Sequence, residues 1–134
     1  MFRRRRAEAL ERLRQRRELE AQAPRLRSEV PQLVSLSLKV TEFENGERIE
    51  ETVHIRRIVV EHAPALFLLS CNEKQCENGG HEVSADILEA LKAGKERFEG
   101  EHRCSGQVGD DACIRTVKYV ATAKYNAQEA AQSA

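Results

Sequence analysis

Four cysteines are the residues of this sequence whose type and spacing are best suited to chemistry. They occur in two local pairs, the first separated by four residues and the second by eight: Cys71, Cys76, Cys104 and Cys113. Thiolates are soft ligands, and four of them complete the tetrahedral shell that zinc prefers in structural sites. We therefore predict a single zinc site formed by all four cysteines.

Glycines follow one cysteine of each pair closely. Gly79 and Gly80 come shortly after Cys76, and Gly106 comes two residues after Cys104. Tight turns built with glycine allow backbone N–H groups to point at thiolate sulfur and offset its charge. The glycines therefore favour a metal site over unrelated thiols.

The spacing also leaves other uses of the thiols open. A repeated Cys-x-x-Cys motif is typical of a zinc site, and a single one is typical of a thiol–disulfide oxidoreductase. This sequence contains no Cys-x-x-Cys. Two disulfides, or free thiols with a redox role, are the alternatives. His81 and His102 lie near the pairs and could each replace a cysteine, although exposed loop histidines are the simpler interpretation. Residues 71–113 resemble zinc ribbons and zinc knuckles only in a general way, which implies a metal-stabilised fold and no particular activity.

We expect the site to be structural and the protein not to be an enzyme. A catalytic zinc ion keeps an open coordination position and commonly has histidine or carboxylate ligands. Four thiolates leave no such position, and the sequence contains no His-Glu-x-x-His motif and no phosphate-binding glycine loop. Two pairs of acidic residues could be imagined as catalytic, but they are typical of solvated loops: Glu99/Glu101 and Asp110/Asp111.

A basic segment at the beginning of the sequence is the second feature that suggests a function. Residues 1–28 hold ten arginines and four glutamates, a net charge of +6, whereas the other residues carry −6. Residues 3–23 are mostly good helix formers without glycine or proline, which predicts a long helix that ends before Pro24. At a rise of about 1.5 Å per residue, its guanidinium groups could follow phosphates over about 20 Å. The candidate contacts are Arg3, Arg4, Arg5, Arg6, Arg12, Arg14, Arg16 and Arg17.

Alternating apolar residues predict the strands that must position the cysteines. In residues 33–43 the alternation places four side chains on one side, Val34, Leu36, Leu38 and Val40, as in a half-buried strand. Asn45-Gly46 then predicts a tight hairpin. The return strand is expected at about 48–60, with a bulge or a break near Arg56-Arg57 where the alternation shifts.

The elements around the cysteines are shorter. The apolar run 66–69 predicts a buried strand that delivers Cys71. A short helix is expected from Ser84, its N-cap, to Gly94. Two further strands, 98–104 and 114–124, complete an antiparallel sheet.

Together these elements predict an α+β fold: a small antiparallel β-sheet domain with one short helix and a four-cysteine zinc site, preceded by a long basic N-terminal helix. We expect a basic helix or arm at 1–28, a zinc-stabilised domain at 29–125 and a disordered tail at 126–134. Pro24 and Pro31 bound a predicted linker.

We predict that this is a small zinc-binding module that attaches to nucleic acid or to a nucleoprotein machine, such as a ribosome or polymerase, through the arginine-rich helix. The alternatives are a protein–protein adaptor or structural subunit, in which zinc is purely structural, and a thiol redox sensor. We expect no transmembrane segment and a cytoplasmic location, because no apolar run approaches about 20 residues and the basic start is not followed by an apolar signal region. Reducing conditions there would keep the thiols available for a metal.

Overall fold

A computed structural model describes residues 2–126 of the protein, apart from the side chains of residues 2–5 and 9. Within this part of the chain the helices are α1 (Phe2–Gln22), α2 (Leu26–Glu29) and α3 (Ser84–Lys92). The strands are β1 (Leu33–Glu44), β2 (Glu47–Ile58), β3 (Leu68–Leu69), β4 (Cys76–Glu77), β5 (His81–Glu82), β6 (Arg97–Arg103), β7 (Gln107–Val108), β8 (Asp111–Ala112) and β9 (Thr116–Tyr125). The prediction of an α+β fold with antiparallel sheets is confirmed. The predicted disordered tail lies, from residue 127 onwards, outside the described residues.

The largest sheet has four antiparallel strands in the order β2-β1-β9-β6. Strand β1 is central and pairs with β2 on one side and with β9 on the other. The β1–β2 hairpin turns at Asn45 and Gly46, whose φ angles are 51° and 81°. These two residue types tolerate such positive φ angles, so the hairpin prediction is confirmed.

One face of this sheet forms the apolar core. Leu36 and Leu38 of β1 stand opposite Ala123 and Ala121 of β9, and all four are buried. The buried face of α3 belongs to the same cluster, together with Phe67. Full burial of a leucine or phenylalanine side chain stabilises the fold by about 1.5–3 kcal/mol, so this cluster is the main apolar contribution to stability.

Strand β2 departs from the predicted geometry because its irregularity lies elsewhere. Val40 pairs with His54, whereas Glu42 pairs with Ile49, so the four residues 50–53 of β2 lie opposite the single residue Thr41 of β1. Pairing continues without a break through Arg56-Arg57, where the bulge was predicted. The cause is Thr52, which is only 6% exposed and whose hydroxyl accepts a hydrogen bond from the Glu42 N–H and donates one to the Ile49 carbonyl.

The first residues of β1 also differ from the alternation. Val34, predicted to face the core, is 52% exposed, and its neighbour Leu33 is fully buried. The register with β9 shifts between Leu33 and Ser35, which turns Val34 outwards and returns Leu36 to the core. A one-residue shift of this kind moves a side chain to the other face of a sheet.

The predicted linker between the two prolines is part of the core instead. Leu26 is fully buried and Val30 is 1% exposed, and α2 joins them. The Leu26 N–H donates to the Ala63 carbonyl at 3.0 Å, so the segment is also held by its backbone. Apolar side chains between the prolines explain the difference, because burying them outweighs the conformational freedom of a linker.

Helix α3 begins without the predicted cap. The N-cap position is Val83, whose side chain makes no cap hydrogen bond, and the Glu82 carboxylate accepts one from the Ser84 N–H at 2.9 Å. The hydroxyl of Ser84 accepts a hydrogen bond from the Phe67 N–H at 2.7 Å instead, which ties the start of α3 to the segment that leads to Cys71. At the other end, Gly94 has a φ of 74° and terminates the helix as predicted.

Candidate metal centre and basic helix

The structure brings all four predicted cysteines together. One Sγ atom from each of Cys71, Cys76, Cys104 and Cys113 lies within 4.8 Å of the others, and no disulfide joins them. Among residues 2–126 this is the group of histidine, cysteine and acidic side chains whose geometry could hold a metal ion.

Each cysteine lies at or near the end of a strand. Cys71 follows β3 by two residues, and Cys76 is the first residue of β4. Cys104 comes directly after β6, and Cys113 comes directly after β8. Since β6 is an edge strand of the large sheet while β4 and β8 belong to a separate three-stranded sheet, the cluster joins the two sheets.

The sulfur–sulfur distances match those of thiolates around a metal ion. The Cys71 and Cys113 Sγ atoms are 3.8 Å apart, and the Cys76 and Cys104 Sγ atoms are 3.7 Å apart. A regular tetrahedron with metal–sulfur bonds of about 2.3 Å has edges of about 3.8 Å. Both distances therefore match the edge of a metal shell, and both are far longer than the S–S bond of a disulfide, about 2.05 Å.

Backbone N–H groups point at one of the sulfurs. Cys104 Sγ accepts hydrogen bonds from the N–H groups of Gly80 at 3.3 Å and Gly106 at 3.4 Å. Each N–H stabilises negative charge on the thiolate. The prediction that glycine turns would supply such contacts is therefore confirmed for Cys104.

The thiols influence one another's ionisation. Burial raises the pKa of the Cys71 thiol, and burial together with the thiols of Cys104 and Cys113 raises the pKa of Cys76 to about 12. Burial acts in the same direction on Cys104, but the N–H groups of Gly106 and Gly80 and the adjoining thiols outweigh it and lower its pKa. At neutral pH, Cys71 and Cys76 are therefore protonated without a cation, and a bound metal ion would allow both to ionise.

Two glycines leave the space that the sulfurs occupy. A Cβ atom added to Gly79 would lie 2.7 Å from the Cys104 Sγ and closer still to the Cys76 Sγ. A Cβ atom added to Gly106 would lie 2.5 Å from the Gly79 Cα and 2.6 Å from the Cys76 Sγ. Only glycine fits at both positions without displacing a sulfur or the opposing backbone.

We expect Gly79→Ala to reduce metal affinity by about tenfold or more, since the new methyl group displaces the sulfurs of Cys76 and Cys104. Competition with a chromophoric chelator measures this affinity. Gly109→Ala is the matched control: its added Cβ meets open space, but its φ of 63° imposes a backbone cost of about 1–2 kcal/mol. The control should lose stability and keep its metal affinity. Equal loss of affinity in both variants would contradict the packing argument.

A buried glutamate that the sequence prediction missed holds the first cysteine pair in place. Glu42 on β1 is 1% exposed, and its Oε1 accepts a hydrogen bond from the Asn72 N–H at 3.0 Å. Its Oε2 accepts a second, short hydrogen bond from the Asn72 side chain. Because Asn72 follows Cys71 directly, this carboxylate ties the Cys71–Cys76 loop to the central strand.

The second cysteine pair is tied to the same carboxylate through Arg115. The Arg115 side chain is 12% exposed, and its guanidinium lies 3.7 Å from Glu42 and 3.8 Å from each of Glu44 and Glu73. The Arg115 carbonyl accepts a hydrogen bond from the Cys104 N–H at 2.9 Å. Both loops of the cluster therefore depend on one buried ion-pair network.

A signal for Glu42 was present in the alternation of β1. Glu42 has the same parity as Leu38 and Val40, so the pattern that placed those residues in the core also placed a carboxylate there. A carboxylate at an inward position needs a buried partner.

The two histidines near the cysteines lie outside the sulfur cluster. His81 Nδ1 is 3.0 Å from His102 Nδ1, and the two rings meet edge to face. His81 is only 2% exposed, so its interpretation as an exposed loop residue was wrong. Burial, and then the charge of His102, lowers the pKa of His81 to about 4, which keeps the ring neutral at neutral pH. The sequence held a signal for this burial, because His81 and Val83 alternate with the charged Glu82. In the structure only Glu82 of the three is exposed.

Helix α1 presents most of its described arginines to solvent. Arg6, Arg12, Arg14 and Arg17 are exposed, and the Arg16 side chain is about one-third exposed at 32%. Arg3, Arg4 and Arg5 belong to the helical segment, but their side chains lie outside what the structure describes. Two leucines of α1 are also exposed, Leu10 at 60% and Leu13 at 45%. Along residues 2–126 no helix, α1 included, is both long and apolar enough to cross a membrane.

A groove separates α1 from the cysteine loops. Its volume is about 750 Å³. Leu13 and Arg16 line one wall, and Cys71, Cys76 and Gly79 line the other. The basic helix and the candidate metal centre are therefore neighbours on one side of the molecule.

Comparisons with known proteins find no family model, no curated protein and no solved structure that matches this chain. The functional argument therefore depends on the geometry described above.

Proposed function

We propose that this protein is a small zinc-binding module that attaches to nucleic acid, alone or within a nucleoprotein assembly, through the arginines of α1. Zinc holds the two cysteine loops together and takes no part in a reaction, and the protein is not an enzyme. A cytoplasmic location, with its reducing conditions, would keep the four thiols free to bind the metal.

The choice of zinc is supported by the donor set. Four cysteine sulfurs at metal-shell distances are the usual ligands of structural zinc, which prefers a closed tetrahedral shell. The groups that hold Cys71 and Cys104 in place, Glu42 and the glycine N–H groups, are the kind of outer contacts that support such a site.

The observation that carries the binding proposal is the exposure of guanidinium groups along α1. The exposed arginines Arg6, Arg12, Arg14 and Arg17 recur over three turns of one helix. Guanidinium groups form bidentate contacts with phosphates and stack on bases. Such contacts follow the backbone of a nucleic acid without reading its sequence, so we expect binding of low sequence specificity.

Salt-dependent binding tests this proposal. The probes are a mixed-sequence single-stranded RNA and a duplex DNA, each titrated with zinc-loaded protein and followed by fluorescence anisotropy. If the α1 arginines contact four to five phosphates, the affinity for nucleic acid should fall about 100-fold between about 50 mM and about 200 mM salt. The triple variant Arg12→Glu, Arg14→Glu, Arg17→Glu should reduce binding at low salt at least as strongly.

The matched control reverses three exposed lysines away from α1: Lys39→Glu, Lys95→Glu and Lys124→Glu. It changes the net charge by the same amount and should retain most of the binding. Undetectable binding at low salt, or an equal loss in the control, would contradict the proposal. A complex with a protein partner that survives nuclease and high salt would favour the adaptor alternative instead.

A further inference from the structure

The way in which α1 is attached to the body points to a further property. From Arg6 to Gln15 the described side chains are all exposed, so the first half of the helix gains little from burial. In proteins most of the stability of a helix comes from packing an apolar face, and this half of α1 packs none. Its position must therefore depend on a few contacts near its second half.

Those contacts converge on the segment that leads to Cys71. Arg16 donates a hydrogen bond to the Leu68 carbonyl at 2.8 Å and another to the Ser70 hydroxyl at 3.3 Å. Arg56 of β2 donates to the same Leu68 carbonyl at 3.3 Å. Arg16 therefore holds α1 to the two-residue strand β3 and to the residue immediately before the first cysteine.

The base of α1 is joined to the same segment. The Ala65 N–H donates to the Pro24 carbonyl at 2.7 Å, and Arg25 forms a β-bridge with Pro64. The segment 63–70 thus carries both the base of α1 and its side-chain anchor. At its end stands Cys71, whose position a metal ion would fix.

We propose that metal binding at the cysteine cluster holds helix α1 in place, with Arg16 as the positioning residue between them. With the metal bound, Cys71 fixes Ser70 and Leu68, and the acceptors of Arg16 stay aligned. Without it, the Cys71 side chain keeps only weak contacts, such as that of its Sγ with the Cys113 Sγ at 3.8 Å, so β3 loosens, the anchor is lost and α1 frays. Metal binding thereby controls whether the arginines of α1 are held on an ordered helix. This inference rests on the proposed metal site and does not require that α1 bind nucleic acid.

Hydrogen exchange followed by mass spectrometry on the full chain tests the coupling. Zinc content is measured first, on the same samples. In the wild-type protein, removal of zinc by a chelator should accelerate exchange of the α1 amides from Arg17 to Gln22 about tenfold or more. Arg16→Ala should produce the same acceleration while zinc stays bound, and the amides of β1 and β9 should stay protected.

Arg14→Ala is the matched control, because Arg14 is 67% exposed and pairs with Glu11 within the same helix. It removes the same charge and side chain from α1 but should leave the exchange of Arg17 to Gln22 unchanged. The inference is overturned if zinc binds and the exchange of α1 is the same with and without it, or if Arg16→Ala and Arg14→Ala behave alike. Absence of zinc binding would overturn the proposed metal site itself, which separates the two failures.

Discussion

Cys71→Ser is expected to abolish stoichiometric zinc binding and to lower the free energy of unfolding by about 4 kcal/mol or more, in the range that loss of a structural metal produces. Purified wild-type protein should contain one zinc ion per chain. The physical reason is that Cys71 is one of four sulfurs in a cluster that joins two sheets. For a chain of this size the loss corresponds to a fall in Tm of about 12 °C or more. Elemental mass spectrometry and thermal unfolding measure the two effects.

Lys74→Ser is the control for this variant, because Lys74 is exposed and lies in the same loop between Cys71 and Cys76. It should keep its zinc and its Tm. Chelator treatment of the wild-type protein provides a second measurement that needs no substitution, and it should reproduce the fall in Tm. Wild-type protein that is well folded, free of metal and unaffected by chelator would contradict the metal site.

Glu42→Leu is expected to lower the free energy of unfolding by about 3–5 kcal/mol. The substitution removes the acceptor of both Asn72 hydrogen bonds and leaves the buried Arg115 guanidinium without its buried carboxylate. Arg115 would then keep only the more exposed carboxylates of Glu44 and Glu73, each 3.8 Å away, and a buried charge that loses its buried partner costs more than the lost contacts alone. Because both cysteine loops depend on this carboxylate, zinc affinity should fall as well. Denaturant unfolding and chelator competition measure the two effects.

Glu44→Leu is the matched control, since Glu44 also approaches Arg115 but its side chain is 37% exposed. An ion pair with a partner this exposed contributes about 0–1 kcal/mol, so the control should be close to the wild type. Glu42→Gln keeps an acceptor for Asn72, so its free energy of unfolding should lie between those of Glu42→Leu and Glu44→Leu. If Glu42→Leu were no more destabilising than Glu44→Leu, the buried network would not hold the loops.

Several parts of this structure could be predicted because they depend on local sequence. The hairpin at Asn45-Gly46 follows from two residues that tolerate positive φ. The end of α3 at Gly94 follows in the same way. The alternation in β1 placed Leu36, Leu38 and Val40 in the core correctly. In each case the residue types alone determine the backbone geometry or the face that is buried.

The errors occurred where an interaction between distant segments outweighs a local preference. Leu26 lies between prolines, which favour a linker, yet it packs into the core because Ala63 and its neighbours provide a surface and a backbone partner. Ser84 is a good N-cap residue, yet its hydroxyl bonds to Phe67, 17 residues away. The bulge in β2 moved because Thr52 reaches Glu42 across the strand pair.

By itself, the sequence determined that this protein has four thiols at strand ends, with glycines beside them, and a separate helix rich in arginine. Local residue types and spacing are sufficient for that. Only the tertiary structure decided that the four sulfurs lie within 4.8 Å of one another, that the buried Glu42 binds the residue after Cys71, and that Arg16 binds the residues before Cys71. These features depend on segments tens of residues apart coming together, and the chemical partner of a buried group is known only when its neighbours in space are known.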